Sequence, residues 1–473
     1  MKNKAVRATA ARRTWHRRAR GLAIAFGIAC MGVAAMWTLL NAHAVLLSSE
    51  PAAGSTLATP PARVRLVFSE ALEPTLARVS LVDSAGHATP LVARGDPSDV
   101  RAIVASVATL APGAYRVTWR VVSADGHPVA GSFVFSVGRP TATAPAELPP
   151  ERDSVSAAWG PTLLDAPLIP SFLRGAGVGT LMAFAGLLLF LSLPRESKET
   201  RDANHASRAS HQAIERLACW VGLAAFLLLA AHGLAWVVNA SPDHQLASDS
   251  VGAALATGPG RLEVSRTALA GLGLWAIWLA RRTRLGLCFA ALAVTVSGAT
   301  GHSAALHPVW AMPAKALHLL AASAWMGGLL WLIALSSRRR SDGESNGAND
   351  SLGLMPEAQR VSAIALAAVI LVALSGVAQT FLFLSSPLDV VRSSYGAVVL
   401  LKVAGLAALI AFGAHHRFRV LPTLVADPAN PRRFARTLRL EVLTVSIVVL
   451  LGGFLAYIPP PGIPESHSTV TPP

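Results

Sequence analysis

Long apolar runs alternate with short polar connections over the chain from Leu173 onward. Most of the runs approach the ~20 residues that a helix needs to cross a bilayer, where the backbone polar groups must be satisfied inside the helix. Eight runs are recognised, of which the third and fourth are short: Leu173–Leu193, Ile214–Val238, Val264–Ala280, Leu285–Thr300, Ala314–Ser336, Ala358–Leu384, Gly396–Ala414 and Leu440–Ile458. Together with a hydrophobic content of 53%, they predict a polytopic α-helical membrane domain of about eight helices in a lipid bilayer.

The formal net charge of +15 would suit a nucleic-acid-binding protein, but the basic residues are in the wrong places. Between His43 and Gly138, seven basic residues are matched by seven acidic ones. The excess lies in four connections that alternate with connections holding at most one basic residue: RESKETRDANHASRASHQAIER, RRTR, RRR and HHRFRVLPTLVADPANPRRFARTLR. Because Lys and Arg mark the cytoplasmic side, the sequence predicts a multi-pass inner-membrane protein with Gly138 and the tail after Ile458 outside, and no nucleic-acid partner.

The N-terminus has the layout of a secretory signal, which is a basic segment, an apolar run and then small residues. Cleavage after Ala42 would make His43 the first residue of the mature chain, whereas cleavage after Ala44 would remove this histidine. An uncleaved anchor helix is the third alternative, since the apolar run is long for a signal. We assign residues 1–42 to the signal peptide.

Residues 43–138 have the pattern of a β domain. Short runs rich in Val, Phe and Trp are separated by turn residues: VRLVF, RVSLVD, VRAIVASV, AYRVTWRVV and GSFVFSV. Apolar and polar residues alternate from Tyr115 to Val121, so one face of this strand is expected to be buried. The pattern predicts an antiparallel sandwich or barrel, followed by a Pro/Ala-rich linker over residues 139–167.

One turn of this domain carries candidate metal ligands. In VVSADGHPVAG, Asp125 and His127 are two residues apart, so in extended backbone both side chains project to the same side. A free N-terminal His43 would add its α-amine and its ring nitrogen. Three nitrogens and one oxygen suit tetragonal Cu(II), although His and Asp also suit Zn(II) or Ni(II).

These residues resemble a known family. The segments HAVLLSSEPAAGSTLATPPARVRLVFSEAL and LAPGAYRVTWRVVSADGHPVAGSFVFSVG are similar to the periplasmic copper-resistance protein CopC over nearly all of residues 43–138. The resemblance implies an all-β, cupredoxin-like (Ig-like) Greek-key barrel that binds Cu(II) through His43, Asp125 and His127, with Glu70 close to the metal. Because the domain contains no methionine, the Cu(I) thioether site of some family members is expected to be absent.

The membrane domain, assigned to residues 168–461 with a short extracytoplasmic tail at 462–473, also contains candidate ligands. His302 and Met312 are predicted in an outward connection, and His318 one turn into the next helix. Imidazole and thioether groups are suitable ligands for copper. His232 lies inside the second helix and is a further candidate for the same path.

The last four helices resemble a second family. The stretch from His302 together with YGAVVLLKVAGLAALIAFGAHHRFRVLP and LRLEVLTVSIVVLLGGFLAYIPPP is similar to the multi-pass copper-resistance protein CopD. Chains that join the two halves in this order imply copper handling across the inner membrane. Lys402 and Glu441 are costly in lipid, so we expect them to pair with each other or to line a polar path.

The predicted function is Cu(II) capture outside the membrane and copper transport inward, without enzyme activity. Copper ions and other periplasmic copper carriers are the expected partners. No Gly-x4-Gly-Lys-Ser/Thr motif for a built-in ATPase is present. Two alternatives remain, which are a non-transporting sequestration or sensor protein and a membrane oxidoreductase whose haem is held by His232 and His318.

Overall fold

The structure is a computed structural model. It describes residues 46–69, 71–123, 126, 128–138, 168–194, 201–240, 248–300, 310–338, 347–383, 388–420 and 430–458. The predicted signal peptide, linker and C-terminal tail lie outside these ranges.

The described residues of the N-terminal domain form nine strands in two sheets. The strands are β1 Leu46–Glu50, β2 Thr56–Leu57, β3 Arg63–Phe68, β4 Arg78–Val82, β5 Ala88–Leu91, β6 Ala93–Asp96, β7 Asp99–Ser106, β8 Gly113–Val122 and β9 Pro128–Val137. The sheet orders are β1-β3-β7-β6 and β2-β9-β8-β4-β5, with antiparallel pairs throughout except for the parallel pair β2–β9. All five strands predicted from the sequence are confirmed.

The inner faces of the two sheets share one apolar core. Val117, Trp119 and Val121 of β8 are buried, as the alternation in this strand predicted. Trp119 packs edge-on against Phe68 of the facing sheet, with ring centroids 5.0 Å apart. The domain is therefore a two-layer β sandwich, and the finer cupredoxin-like Greek-key assignment remains a prediction.

The rest of the described chain is helical. The helices are α1 Leu168–Ser192, α2 Arg201–Ala240, α3 Ser248–Ala256, α4 Gly258–Trp278, α5 Thr283–Gly298, α6 Ala311–Arg338, α7 Gly347–Phe383, α8 Asp389–Arg392, α9 Ser394–His415 and α10 Asn430–Leu455. A helix covers each of the eight predicted apolar runs. Two short helices, α3 and α8, were not predicted, because neither lies in an apolar run.

Six of these helices are long and apolar enough to cross a membrane: α1, α2, α6, α7, α9 and α10, the second over Ser210–Ala240. The predicted third and fourth crossings do not meet this description. Helix α5 has only 16 residues, and α4 carries Glu263 and Arg266, whose charged side chains are buried. The structure thus supports a multi-pass membrane domain, and the number eight remains a prediction.

One end of the bundle lies against the β sandwich and is called here the β-domain end. Helix α2 ends there, because the main-chain oxygen of Asn239 accepts a hydrogen bond from Arg120 of β8. Helix α10 also ends there, since Tyr457 contacts His232 near the end of α2. Helices α1 and α6 begin there, because Arg174 and Lys315 both bond to Thr300.

Candidate metal-transfer site

Most of the predicted copper ligands lie outside the described residues. These are His43, Glu70, Asp125, His127 and His302, while His318 and Met312 are described. Within the described part of the chain, no group of three or more His, Cys, Asp or Glu side chains could hold a metal ion. The predicted ligand set therefore stays a prediction. The structure does describe the backbone next to two of these ligands, at Gly126 and in the strands on either side.

The turn with Asp125 and His127 is held between two long paired strands. β8 and β9 pair along their whole length, down to Val122 opposite Pro128. Gly126, at the centre of the turn, has φ +90° and donates its N–H to the oxygen of Ser123 at 2.8 Å. This φ favours glycine, so the turn is a specific backbone conformation between the two predicted ligands.

The tip of this turn rests directly on the helical bundle. Trp236 Nε1 of α2 donates a 2.7 Å hydrogen bond to the main-chain oxygen of Gly126. A Cβ added to Gly126 would come within 2.7 Å of Pro259 Cβ at the start of α4. Real Cβ atoms do not approach so closely, so the residue between Asp125 and His127 must lack a side chain for the turn to pack here.

Two polar contacts on either side of the turn complete the docking. Arg120 Nη2 donates to the oxygen of Asn239 at 2.6 Å. Glu73 Oε1 accepts a hydrogen bond from the N–H of Gly258 at 3.0 Å, where a carboxylate stabilises the N-terminus of α4. Burial raises the pKa of Glu73, and the Gly258 hydrogen bond and Arg261 partly oppose this.

Apolar side chains fill the space between the polar contacts. Six buried residues from both domains form one cluster: Leu76, Val122, Trp236, Val237, Ala240 and Ala254. The unpredicted helix α3 supplies Ala254. The β sandwich is therefore packed against the bundle through a small desolvated patch, with Gly126 at its edge.

A buried polar network lies about one helical turn below the docked tip. His232 precedes Trp236 by four residues on α2, and Glu263 follows Pro259 by four residues on α4, so each faces the bundle one turn away from the turn contacts. His232 Nδ1 is 3.1 Å from Glu263 Oε2, and its Nε2 is 3.1 Å from the Tyr457 hydroxyl. His232 is 0% exposed, so both ring nitrogens have protein partners in a dry environment.

Arg266 balances the charge of Glu263 but is itself incompletely satisfied. Its Nη2 donates to Glu263 Oε2, whereas its Nε and Nη1 are buried without a hydrogen-bond partner among the described residues. His232 was predicted from the sequence as a polar-path candidate, whereas Glu263, Arg266 and Tyr457 were not. The usable signal was a Glu and an Arg three residues apart at the edge of an apolar run, which is the spacing of a helical ion pair.

His318 and Met312 do not form a common site. His318 Nδ1 lies 3.0 Å from Ser375 Oγ of α7. Met312 is the second residue of α6 rather than part of a connection, and it is 8% exposed. Six residues correspond to about 600° of helical rotation, so the two side chains lie on different faces of α6.

Of the two alternatives for Lys402 and Glu441, pairing with each other is wrong, and lining a polar path stays a prediction. Glu441 Oε2 is instead 3.2 Å from His416 Nδ1. Lys402 is near the start of α9 and His416 directly follows its end, which separates them by about 20 Å along the axis. Tyr395, near the start of α9, packs in one cluster with Ile458 just after the end of α10, so α9 begins at the β-domain end. Glu441 and His416 therefore lie toward the opposite end of the bundle.

Two family models match the chain. The model described as CopC domain matches residues 46–138, and the model described as Copper resistance protein D matches residues 355–455. The second description names copper resistance, and both families are families of copper-binding or copper-transport proteins, in agreement with the prediction that the chain is not an enzyme.

Similar proteins cover either the whole architecture or its first domain. Copper transport protein CutJ of Bacillus subtilis is 24% identical over 453 residues, covering 89% of this chain and 75% of CutJ. Copper resistance protein C of Pseudomonas syringae pv. tomato is 37% identical over 108 residues, covering 21% of this chain and 83% of that protein. The crystal structure of CopC from Methylosinus trichosporium OB3b is 34% identical, with a TM-score of 0.19, and covers 22% of this chain and 99% of that chain.

Proposed function

Because this chain belongs to the copper-resistance family, with a CopC domain joined to a CopD domain, we propose that it binds Cu(II) on its N-terminal domain and moves copper inward across the inner membrane. In this proposal the N-terminal domain, residues 43–138, lies in the periplasm. It receives copper there from other periplasmic carriers. His43, Asp125 and His127 are the metal ligands and Glu70 is near the metal.

The observation that carries this proposal is the hydrogen bond between Trp236 and Gly126. Gly126 separates the two proposed ligands of the turn, so a copper ion held there is bound next to the bundle surface rather than at a distance from it. A copper domain that served only for sequestration would not need its ligand turn packed against membrane helices. Transfer over a short distance is the advantage that this packing provides.

Within the bundle, the proposed route passes the described imidazoles. His232 lies one turn below the docked tip, and His318 lies at the same end of the bundle on α6. His302 belongs to the same proposed route by its position before α6, and Met312 is retained as a candidate on the first turn of α6. The haem alternative is less well supported, because His232 already has a partner at each ring nitrogen.

Copper uptake into cells tests the direction. Cells that lack the protein are compared with cells that express it or a variant with Trp236→Phe, and cytoplasmic copper is measured by mass spectrometry. We expect more cytoplasmic copper with the wild-type protein and less with the variant. Copper retained in the periplasm, with an unchanged cytoplasmic content, would instead establish sequestration.

A further inference from the structure

A cavity of about 360 Å³ lies inside the bundle between α1, α6, α7, α9 and α10. This volume is within the ~300–1,000 Å³ range of small-ligand pockets. Arg174 connects the cavity to the His232 network, because it contacts the Tyr457 hydroxyl and interacts with Glu263, and the copper route proposed above reaches the cavity at His318. The wall also contains Lys402, which the proposed copper route does not use.

Three cationic side chains line this cavity, namely Arg174, Lys315 and Lys402. None of its described lining residues is an Asp or a Glu. The two buried glutamates of the described bundle lie outside the cavity wall: Glu263 is paired with Arg266 and also interacts with Arg174, and Glu441 Oε2 lies 3.2 Å from His416 Nδ1. Lys402 thus has no carboxylate beside it among the described lining residues, and a buried cation is costly inside a membrane unless an anion balances it.

Arg174 and Lys315 are held in position by hydrogen bonds, whereas Lys402 is available to bind a ligand. Arg174 Nη2 donates to Thr300 Oγ1 at 2.8 Å, and Lys315 Nζ donates to the oxygen of Thr300 at 2.6 Å. Lys402 makes no hydrogen bond or ion pair with the side chains that the structure describes. Its Nζ lies 3.7 Å from the position that a Cβ on Gly452 would occupy, so it points between α9 and α10 into the cavity.

The cavity is polar at one end and apolar along its depth. Arg174, Lys315 and Lys402 lie about 9, 6 and 12 Å from the β-domain end of their helices. Farther from this end, at about 21 Å, the wall is formed by Met182, Trp325 and Leu409. A hydrated inorganic anion would satisfy the first part of the cavity but not the second.

We infer that this cavity binds the anionic headgroup of an amphipathic molecule, whose phosphate or carboxylate contacts Lys402 and whose apolar chain extends along the deeper wall. The assignment rests on charge and shape and does not require the copper function. It also has a consequence for that function. A bare copper ion near His318 would be repelled by Lys402 and Lys315, and a bound anion would offset this repulsion.

The test uses the full-length protein in phosphatidylcholine nanodiscs. One set contains added phosphatidylglycerol, and a second set lacks it and is titrated with inorganic phosphate. Native mass spectrometry measures retained phosphatidylglycerol, and thermal unfolding measures stabilisation. We expect retained phosphatidylglycerol and a raised Tm for the wild type, with an affinity about tenfold lower in Lys402→Gln, because a charge-assisted contact is removed.

Three further variants make the result specific. Lys402→Arg keeps the charge and should retain phosphatidylglycerol. Gly452→Leu leaves every charge in place but fills the space beside Lys402, so it should lose binding even if Lys402→Gln fails to fold. Arg392→Gln removes an exposed cation of α8 outside the cavity and should behave like the wild type.

The two sets of nanodiscs, with phosphatidylglycerol and with inorganic phosphate, show whether the anion belongs to an amphipathic molecule. Stabilisation by phosphatidylglycerol but not by phosphate supports an amphipathic ligand. A shift with phosphate alone that Lys402→Gln abolishes overturns the amphipathic assignment in favour of a soluble anion. Equal retention and equal Tm shifts in the wild type, Lys402→Gln and Gly452→Leu overturn the site itself.

Discussion

Trp236 of helix α2 donates a 2.7 Å hydrogen bond to the main-chain oxygen of Gly126, the residue between Asp125 and His127. This bond connects the proposed ligand turn of the β sandwich to a helix that is long and apolar enough to cross the membrane. The docking of the β sandwich can therefore be tested by changing one side chain, that of Trp236.

Trp236→Phe should weaken docking while leaving most of the apolar packing in place. The variant removes one neutral hydrogen bond, which contributes about 1 kcal/mol net, so the ratio of docked to undocked protein should fall about fivefold. Energy transfer between a label on the β4–β5 turn and one on α8 measures this ratio. Trp220→Phe is the matched control, because Trp220 is on the same helix and 69% exposed; an equal loss in both variants would contradict the role of the Gly126 contact.

Gly126→Ala should impair both turn conformation and docking. Its φ of +90° disfavours any side chain, and the new Cβ would lie 2.7 Å from Pro259 Cβ. Gly86→Ala separates the two effects, since Gly86 has φ +86° with nothing within 4 Å of an added Cβ. Both variants should lose about 1–3 kcal/mol of folding stability from backbone strain, measured by thermal unfolding. Only Gly126→Ala should also lose energy transfer and copper uptake; normal docking in this variant would refute the close contact.

Glu73 should make docking depend on pH. Because burial raises the pKa of this carboxyl above its ordinary value of 4.5, the docked state holds the proton more tightly than the undocked state. Docking is then strongest at low pH and weakens as the pH rises from about 4.5 through the raised pKa, above which it stays constant. Arg261 is the charged neighbour that opposes the shift.

Glu73→Gln should remove this component of the pH dependence. The amide oxygen can still accept the hydrogen bond from Gly258, but no charge is desolvated at any pH. Energy transfer measured from pH 4 to 7 should therefore change less in the variant than in the wild type. Glu50→Gln, on β1 away from the bundle contacts, should keep the wild-type profile, and an unaltered profile in Glu73→Gln would refute the assignment.

Breaking the Glu263–Arg266 pair should destabilise the bundle more than removing it. Glu263→Gln leaves the fully buried Arg266 without its counter-charge, which costs about 3–5 kcal/mol in comparable buried pairs. The double variant Glu263→Gln/Arg266→Met removes both charges and should recover most of this loss. Thermal unfolding in detergent provides the comparison, and a double variant less stable than Glu263→Gln would show that the pair itself is not the relevant interaction.

The positions of the secondary structure elements could be predicted largely from the sequence. Strand β8 was identified because Val117, Trp119 and Val121 alternate with polar residues, and the helices because their apolar runs are long. The same rule placed the start of a helix wrongly where charged residues interrupt the apolar pattern. Helix α4 begins at Gly258 and carries Arg261 and Glu263 in its first turns, so the part before Val264 was not recognised as apolar.

The candidate site was predicted only in part. His232 was recognisable as a histidine in an apolar helix, but its partners Glu263 and Tyr457 are 31 and 225 residues away. Lys402 and Glu441 were expected to pair or to line a polar path, because both are costly in lipid. No sequence pattern shows that α9 and α10 bring Glu441 beside His416 instead.

The sequence by itself determined what is local: the β-strand and helix periodicities, the basic connections that predict topology, and the glycine between Asp125 and His127. These follow from backbone geometry and from the cost of placing polar groups in lipid, which act over a few residues. Tertiary structure alone decided that Gly126 meets Trp236 and Pro259, and that Arg174, Lys315 and Lys402 face one cavity. Such contacts join residues that are distant in the chain. They depend on the shape and charge of surfaces built from several segments, which no single segment determines.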